Sequence, residues 1–248
     1  MVQRHDIALT IVIPVYNEGE NIITTLGEIQ RYAPATEAVV VVYDFDGDTT
    51  LPFLERALND PLWTTRLRPV KNIYGHGALN AIKTGFKLSS SDWVLVVMGD
   101  LSDDLSAVPA MLEQAVSGVD IVCGSRYMKG GKHTGGPLVK GILSRMAGLS
   151  MHYLIGIPTR DVTNSFKLYS RRALEAIPVE STGGFEIGME LAVKAYFRGY
   201  RIAEVPSAWR SRTPEKSRFH MKAWIPKYLK WYFSALTWRY VRNINRKQ

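Results

Sequence analysis

At 248 residues, with 46% apolar and 22% charged side chains, the chain is long enough to bury a full core and too ordinary in composition to be disordered, and one main domain is expected. The formal net charge of +8 belongs to one end: eleven of the 31 Lys and Arg residues lie between Arg210 and Lys247, against the single acid Glu215. The one cysteine, Cys123, sits in an apolar run, which excludes an internal disulfide and offers no zinc-site spacing; a buried thiol in a reducing cytosol is the simplest reading.

In chain order, the first apolar stretch stops at Pro14, too short to span a membrane and without a small-residue cleavage site, so no secretory leader is expected. β-Branched runs at residues 9–15, 38–43, 93–98 and 120–123 predict strands, and amphipathic stretches at 20–32, 50–58, 78–88 and 106–117 predict helices between them. Continuous apolar strands alternating with helices imply a mostly parallel sheet covered on both faces, an α/β doubly wound core over about the first 125 residues. The Gly-rich KGGKHTGGP after Tyr127 predicts a mobile loop, and broken helices with short strands near 165–169 and 201–205 follow it. The most membrane-like stretch, 141–157, is interrupted by Arg145 and His152, so no span is expected there. In the tail, Trp224, Tyr228, Trp231, Ala235 and Trp238 recur at helical steps and share one face. That periodicity fits a face packed on the protein's own core as well as it fits a membrane. The unbalanced charge, with Lys227, Lys230, Arg242 and Arg246 on the flanks, favours an anionic membrane surface. Two units are therefore expected, a main domain over 1–220 and a basic aromatic amphipathic helix over 221–248.

In open α/β sheets ligands bind beyond the carboxyl ends of the strands. Polar clusters follow the strand runs: Tyr16, Asn17 and Glu18; Asp44 and Asp46; Asp100 and Asp103; Ser125 and Arg126. Each could singly be a turn or a helix cap, but four together point to a site. The acidic clusters DFDGD at 44–48 and GDLSDD at 99–104 suit a hard divalent cation that also grips phosphate oxygens. Asp100 is the first candidate ligand and Asp103 the second, with helix capping the competing role for Asp103 and Asp104. Gly75, His76 and Gly77 lead into a helix whose N-terminal N–H groups could meet a diphosphate, unless its small residues serve close packing on the sheet. His76 receives no catalytic role.

The ordered motifs IVIPVYNE, VVVYDFDGDTT, WVLVVMGDLSDD, VCGSRYMKGG and DVTNSFKLYSRRALEAI resemble those of family 2 glycosyltransferases of the GT-A, Rossmann-like type, and most nearly the dolichyl-phosphate mannosyltransferase and polyprenyl-phosphate hexosyltransferase branch. The resemblance runs from about Ile11 to Phe219. It implies that Pro14, Tyr16, Glu18 and Asp44, with Asp46, Gly77 and Asp100 nearby, bind a nucleotide sugar, GDP-mannose or a UDP-sugar, and that Asp100 with Asp103 holds Mg²⁺ or Mn²⁺ on its diphosphate. Three positions depart from the family pattern: Tyr43 and Met98 replace acids, and Leu79 stands where a glycine is common. The resemblance further implies that Arg126, Arg145, Arg212, Ser217 and Arg218 hold an acceptor phosphate, that Asp161 lies near it, and that Asp100, Arg126, Asp161 and Arg212 form the catalytic set.

A polyprenyl phosphate is already anionic near neutral pH, its second pKa being about 6, so an inverting attack needs electrostatics and alignment and no strong protein base. A competing transferase acting on a sugar hydroxyl would need a carboxylate base, with Asp103, Asp161 and Glu186 as candidates and Glu190 in an orienting role. A basic nucleic-acid-binding protein is disfavoured, because acids at the strand ends repel phosphate. The expected partners are a nucleotide sugar, a polyprenyl phosphate, an anionic membrane surface met from the cytoplasmic side and, in some arrangements, a separate membrane subunit.

Overall fold

A computed structural model describes residues 7–211 and 221–245; Arg212, Ser217 and Arg218 lie outside them. The predicted core strands form as β1 (Leu9–Pro14), β2 (Ala38–Tyr43), β4 (Trp93–Val96) and β5 (Ile121–Ser125). The predicted helices form as α1 (Asn21–Tyr32), α2 (Leu51–Leu58), α3 (Ala78–Leu88) and α4 (Val108–Val116), the last entered through a 3-10 turn at Leu105–Ala107. β1 and β5 are buried along their whole length, which is why they read as unbroken apolar runs.

One strand has no such signal. β3 (Arg66–Lys71) has the sequence RLRPVK and an exposed, half-buried pattern. It pairs only with β2, at the sheet edge, where a proline and charged side chains are tolerated because one side has no neighbour to hydrogen-bond. After α5 (Leu138–Ser150) and a π-helical turn (Met151–Ile155) come β7 (Lys167–Ser170), α6 (Arg171–Ala176), α7 (Ile187–Phe197) and β8 (Ile202–Pro206). The sheet order is β3-β2-β1-β4-β7-β5-β8, and all its pairs are parallel except those of β7, which runs antiparallel between β4 and β5.

Helices α1, α2 and α4 cover one face through Ile22, Leu26, Leu54 and Met111, while α3 and α7 cover the other through Leu79, Ile82, Ile187 and Leu191. Gly85 belongs to the packing reading of the α3 glycines: a Cβ there would drive into the Val12 side chain of β1.

The Gly-rich stretch expected to be a mobile loop instead contains β6 (Lys132–Thr134), which pairs in parallel with β9 (Ala208–Arg210) as a two-stranded ribbon. The tail forms one helix, α8 (Met221–Asn245), with Pro226 inside it. The middle of its expected membrane face is turned inward, while Trp238 at its end stays 36% exposed. Trp231 is 2% exposed and Ala235 fully buried, in a cluster with Met151, Ile155, Met189 and Val193. The Trp231 Nε1–H donates to Ser181 Oγ at 3.1 Å, and Trp238 meets Phe197 edge-on. The flanking cations fit this arrangement too, since Lys230 lies over the Trp231 ring and Arg242 over Tyr196. Among the described residues no helix is long and apolar enough to cross a membrane.

Candidate active site

Parallel pairing of β1 with β2 and β4 brings their carboxyl ends to one edge, with the order changing direction at β1. The loop after β2 clamps the loop after β1: the backbone N–H of Asn17 donates to Asp48 Oδ2 at 3.0 Å, and that of Glu18 to Thr50 Oγ1 at 3.1 Å. Asp48 and Thr50 are buried, so this clamp is a rigid floor that leaves the Tyr16 ring exposed, tilted against Phe45. Pro14 is buried at the end of β1, in register with Val42.

Asp44 accepts from Asn72 Nδ2 at 2.9 Å and from the Gly77 N–H at 2.8 Å, at the start of α3. The Gly77 N–H expected to face a diphosphate is thus engaged by a protein carboxylate, in a glycine whose φ of +103° favours this residue type. Asp46 stands apart from Asp44, exposed and paired with Lys71 at 2.7 Å. Exposed His76 has its Nδ1 3.9 Å from Asp44 Oδ2.

The loop after β4 contains both predicted metal ligands. Asp100 Oδ1 accepts from the Ser102 N–H at 3.0 Å and the residue is exposed; Asp103 Oδ2 accepts from the Met98 N–H at 3.1 Å. Helix capping falls to Asp104, which accepts from Ser106 N. Leu101 between them takes a left-handed φ of +61°, a conformation costly for a branched side chain and held by the surrounding loop. Burial, and after it the Asp100 charge, push the Asp103 carboxyl up to about 7. Two carboxylates that disfavour each other's charge in an all-oxygen loop fit a hard cation. Among the described residues no third acid, histidine or cysteine joins them. Such a pair suits a cation that takes its other ligands from phosphate and water.

Arg126, at the end of β5, and Asp161 meet as predicted neighbours, but as a buried ion pair. Arg126 Nε and Nη2 donate to the two Asp161 oxygens at 2.6 and 2.8 Å, and the Arg126 backbone N–H adds a third bond at 3.0 Å. Nη2 also reaches Ser144 Oγ on α5 and Thr163 Oγ1. Burial alone would raise the Asp161 pKa, but the guanidinium charge and its bonds outweigh it and hold the carboxyl below its ordinary value. Asp161 is therefore a bound counter-ion and no free base. The base candidate Glu186 and the orienting Glu190 are also committed: Glu186 accepts from the Gly183 and Gly184 N–H groups, and Glu190 from the Glu180 and Ser181 N–H groups and from Lys194. Arg145 lies on the exposed side of α5, away from the ion pair's hydrogen bonds.

The β6–β9 ribbon joins the two halves of the site. Asp104 N donates to Ala208 O, Arg210 N to Ser102 O and Ser207 N to Ser125 O, so the ribbon is tied both to the acidic loop and to the strand carrying Arg126. Gly131 makes this possible: a Cβ there would collide with the backbone of Ser125 and Arg126. Trp209 stacks on His133 at 4.9 Å and 9° on the same ribbon. The residues that sequence reasoning missed are this ribbon, Asp48, Thr50, Asn72, Ser144 and Thr163; Asp48 and Thr50 lie inside VVVYDFDGDTT and Thr163 inside DVTNSF, while the ribbon, Asn72 and Ser144 carried no local signal.

The Glycosyl transferase family 2 model matches residues 10–177, from β1 to just past the end of α6. The chain belongs to glycosyl transferase family 2. Among relatives of the family, an undecaprenyl-phosphate mannosyltransferase of Micrococcus luteus is 32% identical over 213 residues, 84% of this chain and 85% of that one. A polyprenol monophosphomannose synthase of Mycolicibacterium smegmatis is 29% identical over 82% of this chain and 77% of that one. A dolichol-phosphate mannosyltransferase of Pyrococcus furiosus is 27% identical over 93% of this chain, which spans only 64% of that relative's length. Among solved structures, glucosyl-3-phosphoglycerate synthase from Mycobacterium tuberculosis, in complex with UDP, superposes with a TM-score of 0.69 at 17% identity, over 94% of this chain and 81% of that one. The same enzyme has been crystallised with Mn²⁺ and with Mg²⁺. That likeness is one of fold, and the family 2 chain has the GT-A-like architecture.

Proposed function

We propose that this glycosyltransferase moves a hexose, inverting its anomeric centre, from a nucleotide-diphosphate sugar to a polyprenyl monophosphate. The observation that carries the reading is the state of the base candidates: Asp161 and Glu186 are committed to internal partners, and Asp103 accepts from the Met98 N–H in the acidic loop that a cation would occupy, which suits an acceptor that arrives already ionised. The names of the polyprenyl-phosphate relatives support the same acceptor class. An acceptor phosphate oxygen attacks the sugar C1 as the bond from C1 to the diphosphate breaks, and the departing nucleoside diphosphate keeps the electron pair. No proton has to move.

In this reading Pro14, Tyr16, Glu18 and Asp44 line the nucleoside site on the floor set by Asp48 and Thr50. Asp100 and Asp103 would hold a divalent cation, Mg²⁺ or Mn²⁺, whose chemistry is to neutralise charge on the diphosphate. Arg126, fixed by Asp161, Ser144 and Thr163, presents a permanent positive charge to phosphate from a rigid position. Arg212, Ser217 and Arg218 remain assigned to the acceptor phosphate by the family motif.

The test is transfer by the full chain from GDP-mannose and from UDP-glucose, with Mn²⁺, to a water-soluble short-chain prenyl phosphate and to free sugar hydroxyls. The prenyl-phosphate hexose of inverted configuration is the expected product, and transfer to hydroxyls alone overturns the reading. Asp100→Asn is expected to lower turnover by about 100-fold with the thermal midpoint unchanged, and Asp103→Asn by less. Equal activity of Asp100→Asn and wild type at saturating donor and Mn²⁺ removes Asp100 from the site.

A further inference from the structure

Trp231 and Ala235, the middle of the aromatic face of α8, are consumed by the core, yet the molecule keeps a large apolar surface elsewhere. α5 and the π-helical turn after it bury one side through Gly148, Met151 and Ile155. The other side carries Leu138 (77% exposed), Ile142, Met146 (62%), Tyr153 (71%) and Leu154. Leu138, Ile142 and Met146 recur every four residues, so they form one outward stripe. α8 shows the same division: opposite Trp231 and Ala235, it exposes Leu229, Phe233 (57%) and Tyr240 (68%). The two outward stripes belong to neighbouring elements, because Tyr232 Oη donates to Ser150 Oγ at 3.0 Å and α8 packs on Met151 and Ile155. A soluble surface rarely leaves two adjacent helices apolar on their solvent side.

Charge identifies the occupant. No acid occurs between Asp120 and Asp161, nor anywhere after Glu215. Arg145 borders the α5 stripe and Lys230 that of α8, while Lys140 and Lys227 lie on the inner faces of their helices. Two neighbouring helices that carry no acid of their own, are apolar along their outward stripes and have Arg145 and Lys230 at the borders, with Glu180 the one acid near Lys230, match the interface of a bilayer with anionic headgroups. A second copy of the chain would bring basic rim against basic rim.

We infer that α5, its π-helical turn and the outward stripe of α8 form one docking surface for an anionic bilayer, with the α8 ring Trp231 serving the core instead. The inference rests on the lipid-acceptor reading and deepens it, because α5 is also wired to the phosphate-handling group: Ser144, on the inner side of the helix, accepts from Arg126 and from Tyr127 Oη. The bilayer would lie against one side of α5 and the Arg126–Asp161 pair against the other. A lipid-borne phosphate would then reach the site without its chain leaving the membrane.

The experiment is flotation of the full chain, without substrates, on vesicles of phosphatidylcholine mixed with phosphatidylglycerol and on phosphatidylcholine alone, at physiological salt. Wild type is expected to float with the anionic vesicles. Ile142→Asp combined with Met146→Asp should lower partitioning at least about tenfold, Phe233→Asp should also lower it, and Leu62→Asp, an exposed leucine on the far loop before β3, should not. The thermal midpoint and donor-induced stabilisation report whether each variant is folded; if the double variant is not, Phe233→Asp alone decides. With a long-chain prenyl phosphate in vesicles the apparent KM should rise in the double variant, while a water-soluble short-chain acceptor should be used as before. The proposal is overturned if wild type stays in the soluble fraction with both vesicle types, if folded Phe233→Asp and the double variant float as wild type does, or if wild type instead self-associates through this face. Flotation needs no sugar transfer, so loss of the enzymatic reading with intact flotation leaves the surface standing, and the converse result leaves the enzyme.

Discussion

Asp161 has no exposed surface, and its two oxygens are gripped by one guanidinium and one backbone N–H of Arg126. Removing either partner leaves a buried charge uncompensated, so Asp161→Asn and Arg126→Ala are each expected to cost about 3–5 kcal/mol of stability, read from denaturant unfolding. A double-mutant cycle should show strong coupling between them. The sign of the pH effect follows from the direction of the shift. The folded-state pKa of Asp161 lies below its ordinary 3.8, so the ionised form contributes stability that is fully present above that value and is lost as pH falls through the folded pKa. Acid unfolding measured below about pH 4 should therefore be steep in wild type and shallower in Asp161→Asn. A parallel acid limb in the two proteins would contradict the pairing.

At the scale of elements, the β6–β9 ribbon and α8 are the two pieces whose role only packing reveals. Gly131 lies against the Ser125 and Arg126 backbone with no room for a Cβ. Gly131→Ala should push the ribbon off the site and lower turnover by about 100-fold, with nucleotide-sugar binding retained, since misplacement of about 1 Å near the chemistry has that effect. For α8, Trp231→Ala should destabilise the whole chain by about 3–5 kcal/mol, as large-to-small changes at buried aromatics do. Removing residues 222–248 should for the same reason unfold the protein rather than yield a soluble enzyme. A truncated chain with a cooperative transition at the wild-type midpoint would show that α8 is peripheral after all. The sequence carried the α8 helix but not its direction: a stripe at 224, 228, 231, 235 and 238 has one period whether it meets lipid or Met151 and Val193.

For the whole molecule, Cys123 offers a reporter at the centre of the sheet. It is fully buried in β5, and burial pushes its thiol up to about 11, with the Lys167 ammonium offsetting part of the rise. Thiol reagents attack the thiolate, so native protein at neutral pH should be unreactive, and labelling should follow global unfolding in denaturant. Fast labelling under native conditions would mean that β5 opens locally.

The chain by itself determined what depends on neighbours in sequence. β1, β2, β4 and β5 and the helices between them are written in unbroken apolar runs and 3.6-residue periods, and the acids after those runs were legible because strand ends of a parallel sheet share one edge. The family motifs placed Arg126 and Asp161 in one site. Tertiary structure decided everything that required two distant segments to choose each other. Arg126 and Asp161 are 35 positions apart, so that the guanidinium claims both oxygens of Asp161 and keeps it from acting as a base appears only once β5 and the loop before β7 are side by side. Edge strand β3 and the β6–β9 ribbon take their hydrogen bonds from partners that no local pattern specifies. The outward faces of α5 and α8 became a surface only after their inner faces were buried, because an apolar stripe says that a helix face must be covered and not what covers it.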